Sequence, residues 1–209
     1  RTLKQIRSNE RKADKKRELL PFYLPWVAGV LANGKGAQDD IVMTVMLWRL
    51  DADDIAGALE IARYAMTYGL TMPTGRRPTP YLLAEEVALA AQRLLAAKQP
   101  VELANLLDTI ALTERADMPD IVRAKLHKIT GYVLRDANQL PEALAHLQRA
   151  IQLERTIGVK KDIEQLERQL RPKPEPAPKT KTTKPRTRKP AAKPAARRGR
   201  PPKAAKAAG

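Results

Sequence analysis

Asp39-Asp40-Ile41-Val42-Met43-Thr44-Val45-Met46-Leu47-Trp48-Arg49-Leu50-Asp51 carries Ile41, Val45, Leu47, Trp48 and Leu50 at helical spacing. Its two leading aspartates fall in the first turn, where negative charge opposes the helix dipole favourably. A second helix follows from about Asp53 to Tyr68, rich in Ala, Leu and Ile. Residues 71–80 then hold Pro73, Gly75, Pro78 and Pro80, which forbid a helix and predict a loop. Four more helical segments follow near 81–97, 101–113, 120–135 and 141–157. The last runs from about Lys160 to Leu170, with Ile163, Leu166 and Leu170 as its apolar stripe. Towards the N-terminus, Leu24 to Leu31 reads as a short apolar helix with Asn33-Gly34 as a left-handed C-cap. Before it, residues 1–20 read as a basic helix anchored by Leu3, Ile6, Leu19 and Leu20 and stopped by Pro21. No stretch shows sustained alternation of apolar and polar residues, the mark of a strand.

The sequence therefore predicts an all-α fold, a bundle of helical hairpins. Gly131, Leu134, Ala143, Leu147 and Ala150 match the small and large positions of a tetratricopeptide-type hairpin, and Ala58, Ala62 and Ala65 echo part of it. Such arrays need about three repeats. One and a half copies predict partly tetratricopeptide-like packing, with plain hairpin packing as the simpler reading.

Charge divides the chain into three. The net charge of +16 breaks down as +5 over residues 1–18, −2 over 19–170 and +13 over 171–209. The last segment has 14 Lys and Arg, one acid (Glu175), 9 prolines and 9 alanines. It cannot bury enough apolar surface to offset its ordering entropy, so a disordered basic tail is expected. The expected layout is a basic N-terminal helix over 1–20, an all-α body over 21–170 and the tail over 171–209. Basic ends on a near-neutral body point to a polyanionic partner.

Other features narrow the classes. The absence of cysteine excludes disulfides, thiolate metal sites and thiol catalysis. No apolar run reaches the ~18 residues of a membrane span, and no signal peptide opens the chain. The first residue is Arg1 rather than Met, which suggests part of a longer chain. Eight aromatic residues are too few for base-stacking platforms.

Within the tail, Arg197-Arg198-Gly199-Arg200-Pro201, with Lys203 beyond, resembles an AT-hook. Gly199 would let the backbone approach the minor-groove floor, and the flanking arginines suit the negative potential of a narrow A·T-rich groove. A generic basic cluster is the plainer reading. At the other end, Arg11, Lys12, Lys15 and Lys16 cluster on the basic helix as possible phosphate contacts, although Glu10, Asp14 and Glu18 are interleaved.

Enzymatic signatures are weaker. Gly29-Val30-Leu31-Ala32-Asn33-Gly34-Lys35-Gly36 matches G-x-x-x-x-G-K, yet Gly36 stands where a hydroxyl should reach Mg²⁺, and a helix precedes it instead of a strand. Nuclease chemistry needs carboxylates converging on metal ions. Asp39/Asp40, Asp51/Asp53/Asp54 and Glu85/Glu86 are the available clusters, and all stand where helix N-termini want acids, the commoner reason for such residues. His127 and His146 lie on separate helices without metal-ligand spacing and read as packing or surface residues. The residues alone assign no catalytic group, metal or cofactor.

Longer runs carry a resemblance. Lys16-Arg17-Glu18-Leu19-Leu20-Pro21-Phe22, Leu24-Pro25-Trp26-Val27 and Gly34-Lys35-Gly36-Ala37-Gln38-Asp39-Asp40 are three of them. Met43 to Asp51, Asp54 to Ala62, Gly69 to Pro73, Asp117-Met118-Pro119 and Arg123 to Gly131 extend the set over most of residues 3–170. They resemble the small terminase subunit family of tailed bacteriophages, in the branch from temperate contractile-tailed phages. The resemblance implies recognition of the packaging (cohesive-end) region of phage DNA in the host bacterial cytoplasm. It further implies a homo-oligomer, often a ring, and a large partner subunit that holds the packaging ATPase and binds the ATP. This branch is often labelled the terminase endonuclease subunit, which keeps a Mg²⁺-dependent nuclease in this chain as an alternative. A helical-repeat adaptor that binds protein is a second alternative. No membrane partner is expected.

Overall fold

A computed structural model describes residues 2–73, 75 and 77–171. The described residues contain nine α-helices: α1 (Thr2–Gln5), α2 (Asn9–Asn33), α3 (Asp40–Asp51), α4 (Ile55–Tyr68), α5 (Thr79–Ala96), α6 (Leu103–Thr113), α7 (Asp120–Asp136), α8 (Leu140–Leu153) and α9 (Lys160–Leu170). The all-α expectation holds, and the Thr71–Pro80 loop falls between α4 and α5, with α5 beginning at Thr79.

The largest departure lies in α2. Pro21 does not stop the helix, and neither does Pro25; both sit inside one 25-residue helix. Each proline removes a backbone donor and costs about 3 kcal/mol in a helix interior. Tertiary packing outweighs that. Val27 is buried, and Leu20, Tyr23, Val30 and Leu31 pack against the main core on the same side of the helix, each worth roughly 1.5–3 kcal/mol when fully buried. The basic N-terminal segment and the apolar segment are thus two halves of one rod.

Gly34 also differs from expectation. It is extended (φ −67°, ψ 148°), and its N–H bonds to the Val30 carbonyl. Glycine is required there for closeness: a Cβ would lie 2.3 Å from the Tyr64 hydroxyl. The left-handed residue in this turn is Gly36, at φ 80°.

Two apolar clusters hold the helices. The larger gathers α2 to α7 around Met43, Met46, Leu50, Leu59, Ile61 and Leu83. The smaller joins α7, α8 and α9 through Leu134, Ala143, Leu147, Val159 and Leu166. Close packing of α7 on α8 depends on small residues. A Cβ on Gly131 would come within 2.6 Å of Leu147 Cδ2 and 3.2 Å of the Ala143 carbonyl. The hairpin expected from Gly131, Ala143, Leu147 and Ala150 is present, but nothing among the described residues establishes a tetratricopeptide array beyond it.

Candidate nucleic-acid interface

Ser8 starts α2 by accepting a hydrogen bond from the Arg11 amide (3.3 Å), and Glu10 sits in the first turn. Every expected N-terminal phosphate contact lies on this helix. Their environments differ. Lys15 pairs with Glu18 at 2.5 Å, Lys16 with Asp51, and Arg17 with Asp14 at 2.8 Å and Asp53 at 3.3 Å. Lys4, Arg7, Arg11 and Lys12 enter no ion pair among the described residues. The cationic surplus of the N-terminal segment is thus concentrated at residues 4–12.

The aspartates proposed as metal ligands are engaged as well. Asp39 caps α3, accepting from the amides of Ile41 and Val42, both at 2.9 Å, and from the Trp26 indole at 3.0 Å. Asp40 accepts from the Gln38 side chain at 3.0 Å. Asp54 caps α4 through the Gly57 amide (2.9 Å) and pairs with Arg49 at 2.7 Å. Asp53 adopts φ 66° in the α3–α4 turn, where it meets Arg17 and Arg93. Short polar side chains such as Asp tolerate this left-handed conformation best after glycine. Arg93 also donates to the Leu50 carbonyl at 2.8 Å. The acids of 51–54 therefore tie α2, α3, α4 and α5 together.

A cleft of about 590 Å³ runs over this network, with Lys12, Lys16, Arg17 and Arg93 facing Glu10, Asp14, Asp51 and Asp53. Four cations balance four anions. Such a cleft neither attracts a polyphosphate strongly nor leaves carboxylates free for a cation. Among the described residues, no group of three or more His, Asp or Glu is arranged to hold a metal ion. Glu85 pairs with Arg77, and burial followed by the charges of Asp51 and Glu85 pushes the Glu86 carboxyl above its usual range. The G-x-x-x-x-G-K stretch begins inside α2, and the Gly36 amide donates to the Tyr64 hydroxyl at 2.9 Å. No phosphate cradle forms there.

The structure brings together one pair that sequence spacing left apart. His127 on α7 and His146 on α8 face each other with Nδ1 atoms 3.1 Å apart. Burial, then His146, then Arg149 and Arg123 lower the His127 pKa to about 4; burial lowers that of His146. Both rings are therefore neutral near pH 7, with one Nδ1–H donating to the other bare nitrogen. The signal was available in the hairpin register, because setting Gly131 against Ala143 in an antiparallel pair places residue 127 opposite 146 or 147. A groove of about 580 Å³ between α5 and α7 was not anticipated either. Leu89, Leu95, Ile129 and Tyr132 line it, with Lys125 and Arg135 also on its wall. The Tyr132 hydroxyl donates to Asp162 at 3.2 Å, and burial, then Asp162, push its pKa up to about 12. Arg197, Arg198, Gly199, Arg200, Pro201 and Lys203 lie outside the described residues.

Comparison with known proteins decides the family. Residues 1–121, more than half of the chain, match the model of the phage small terminase subunit. The chain belongs to that family. This small terminase subunit is similar to the "Terminase, endonuclease subunit" of Escherichia phage P2, at 65% identity over 98% of this chain and 83% of that protein. It is also similar to the "Probable terminase, endonuclease subunit" of Haemophilus phage HP1, at 29% identity over 73% of this chain and 60% of that protein. No solved structure matches it. No helix among the described residues is long and apolar enough to cross a membrane.

Proposed function

We propose that this small terminase subunit binds duplex phage DNA at the packaging (cohesive-end) region and presents it to the large ATPase subunit in the host bacterial cytoplasm. The observation that carries this reading is 65% identity over 98% of the chain to the phage P2 terminase subunit. Charge distribution supports it: the cations left unpaired at residues 4–12 and the +13 tail are the sites for phosphate contact, whereas Lys16, Arg17, Arg49 and Arg93 are taken up in ion pairs with Asp51, Asp53 and Asp54. Arg11, outside the cleft lining and unpaired, is better placed for DNA than Lys15 and Lys16, which would have to leave Glu18 and Asp51. In the tail, Arg198, Gly199 and Arg200 enter the minor groove, with Arg197, Pro201 and Lys203 holding the flanks. Arg200→Ala then weakens A·T-rich sites more than G·C-rich ones, and equal losses reduce the motif to a generic basic patch. The helical body serves assembly, as a homo-oligomer, and docking of the large subunit.

The names of the two relatives favour a second reading, in which this chain is itself a Mg²⁺-dependent endonuclease. Asp39, Asp40, Asp51, Asp53 and Asp54 are its candidate ligands, and each would first have to leave a cap, a side-chain hydrogen bond or an ion pair. An assay of binding and cleavage on packaging-site DNA, with and without the large subunit, separates the readings. The DNA-presenting role predicts binding by this chain alone and cleavage only with its partner. Mg²⁺-dependent nicking by this chain alone, lost on replacing the aspartates, overturns it. Failure to bind DNA at ~150 mM salt, where several phosphate contacts persist, favours the protein-binding adaptor.

A further inference from the structure

The chain has two histidines, and the α7–α8 hairpin brings them together. Their Nδ1 atoms are 3.1 Å apart and their ring centroids 5.1 Å apart, so both Nδ1 edges point into one gap between the helices. Gly131, one turn beyond His127, holds that register through its close approach to Leu147 and the Ala143 carbonyl. Both rings are half-buried, which leaves the gap open to small solutes. Burial lowers both pKa values, so the rings are neutral near pH 7. Neutral imidazole is the form that ligates metal ions.

The separation that suits an N–H···N hydrogen bond also suits two ligands of one metal ion. Imidazole nitrogens bind Zn²⁺ at about 2.0–2.1 Å, so two of them 3.1 Å apart enclose an angle of about 98° at the metal. Opening to the tetrahedral angle needs only about 0.2–0.3 Å of further separation, which a small ring rotation supplies. Binding exchanges the hydrogen bond for two metal–nitrogen bonds. The proton on one Nδ1 passes through solvent to Nε2 of the same ring, and both rings stay neutral. Nitrogen ligands of this kind suit Zn²⁺, Cu²⁺ and Ni²⁺, whereas Mg²⁺ and Ca²⁺ want oxygen. Among the described residues no third His, Asp or Glu joins the pair, so water or a small anion takes the remaining positions. Arg123 and Arg149 act on His127 through space. Their charge opposes a dication and holds the site to moderate affinity.

We propose that His127 and His146 bind a single Zn²⁺ or similar divalent transition-metal ion that clamps α7 to α8. The site is distinct from the aspartates weighed as Mg²⁺ ligands, which lie in and around α3. It acts on the stability of the hairpin and does not depend on DNA binding or cleavage.

The test uses the full chain, without a histidine tag or chelators, near pH 7. With two histidines and no cysteine in the chain, the imidazole region of a ¹⁵N spectrum reports on these two rings alone. Zn²⁺ added from ~1 μM to ~1 mM is expected to shift the Nδ1 resonances of both rings together, with half-saturation on the order of 10–100 μM. The thermal midpoint is expected to rise over the same concentrations, as for any ligand that binds only the folded chain. Mg²⁺ at ~5 mM is expected to move neither readout. His127→Gln and His146→Gln each remove one ligand without adding charge, and each should weaken the Zn²⁺ response at least tenfold. Rings unmoved up to ~1 mM Zn²⁺, a shift of one ring alone, the same shifts with Mg²⁺, or variants that respond to Zn²⁺ like wild type would each overturn the proposal.

Discussion

Placing the same substitution at two helical glycines tests the packing directly. Gly→Ala inside a helix gains about 1 kcal/mol from backbone entropy. At Gly29 the new methyl group meets nothing within 4 Å, so that gain is retained. At Gly131 the methyl would sit 2.6 Å from Leu147 Cδ2 and 2.8 Å from its Cγ, where contacts between carbons are normally 3.5–4.0 Å. Leu147 is fully buried between α7, α8 and α9. Either α8 moves away by about 1 Å or Leu147 leaves its rotamer, and overpacking of this kind costs about 1–3 kcal/mol. Gly131→Ala is therefore destabilising by up to about 2 kcal/mol net, opposite in sign to Gly29→Ala. For a body of this size 1 kcal/mol moves the thermal midpoint by about 2–4 °C. Calorimetry should show Gly29→Ala melting above wild type and Gly131→Ala below it. A Gly131→Ala protein as stable as Gly29→Ala refutes the close α7–α8 contact.

Further outcomes follow from the same geometry. Asp54→Ala removes the cap on α4 and the partner of Arg49, whose Nε already lacks a hydrogen bond. Urea unfolding should show a loss of about 2–3 kcal/mol, with Asp54→Asn in between because it keeps the cap. The His127–His146 pair makes stability depend on pH. Its folded pKa values lie below the ordinary 6.5, so the unfolded chain binds more protons as the pH falls. The pair's contribution is complete above about 6.5 and declines towards about 4, the folded value of His127. Arg123 and Arg149, which oppose protonation, remain charged across this window. The urea midpoint of wild type should fall between pH 7 and 5 more steeply than that of His127→Gln/His146→Gln, and parallel curves would contradict the pairing.

Most of the helical scaffold is legible in the sequence because each of α3 to α9 has a local signature. Asp39 and Asp54 cap α3 and α4, Gly69 in a left-handed conformation ends α4, and prolines frame the loop before α5. Local rules failed where long-range packing decides. Pro21 and Pro25 signal a break, yet α2 continues because its inner face is held by α3 and the core. Gly34 resembles a left-handed cap, but the approach of Tyr64 from α4 dictates it. The acidic clusters are visible in the sequence, but their partners are not. Lys16 and Asp51 are 35 residues apart, and Arg93 reaches Asp53 across 40. Those partners turn Asp51 and Asp53 from apparent metal ligands into links between helices. Family membership was legible in long ordered runs such as Met43–Asp51, which no short motif could replace.

We propose above that the chain holds DNA through its basic ends and not through the near-neutral cleft of its body. The most direct measurement is the affinity for packaging-site duplex against salt, for the full chain and for a chain ending at residue 170. The tail carries 14 cations, and each phosphate it neutralises contributes a slope of about −0.9 in log K against log salt. Deletion should weaken binding at least tenfold at ~100 mM salt and flatten the slope by several units. Equal affinity and an unchanged slope would remove the tail from DNA binding.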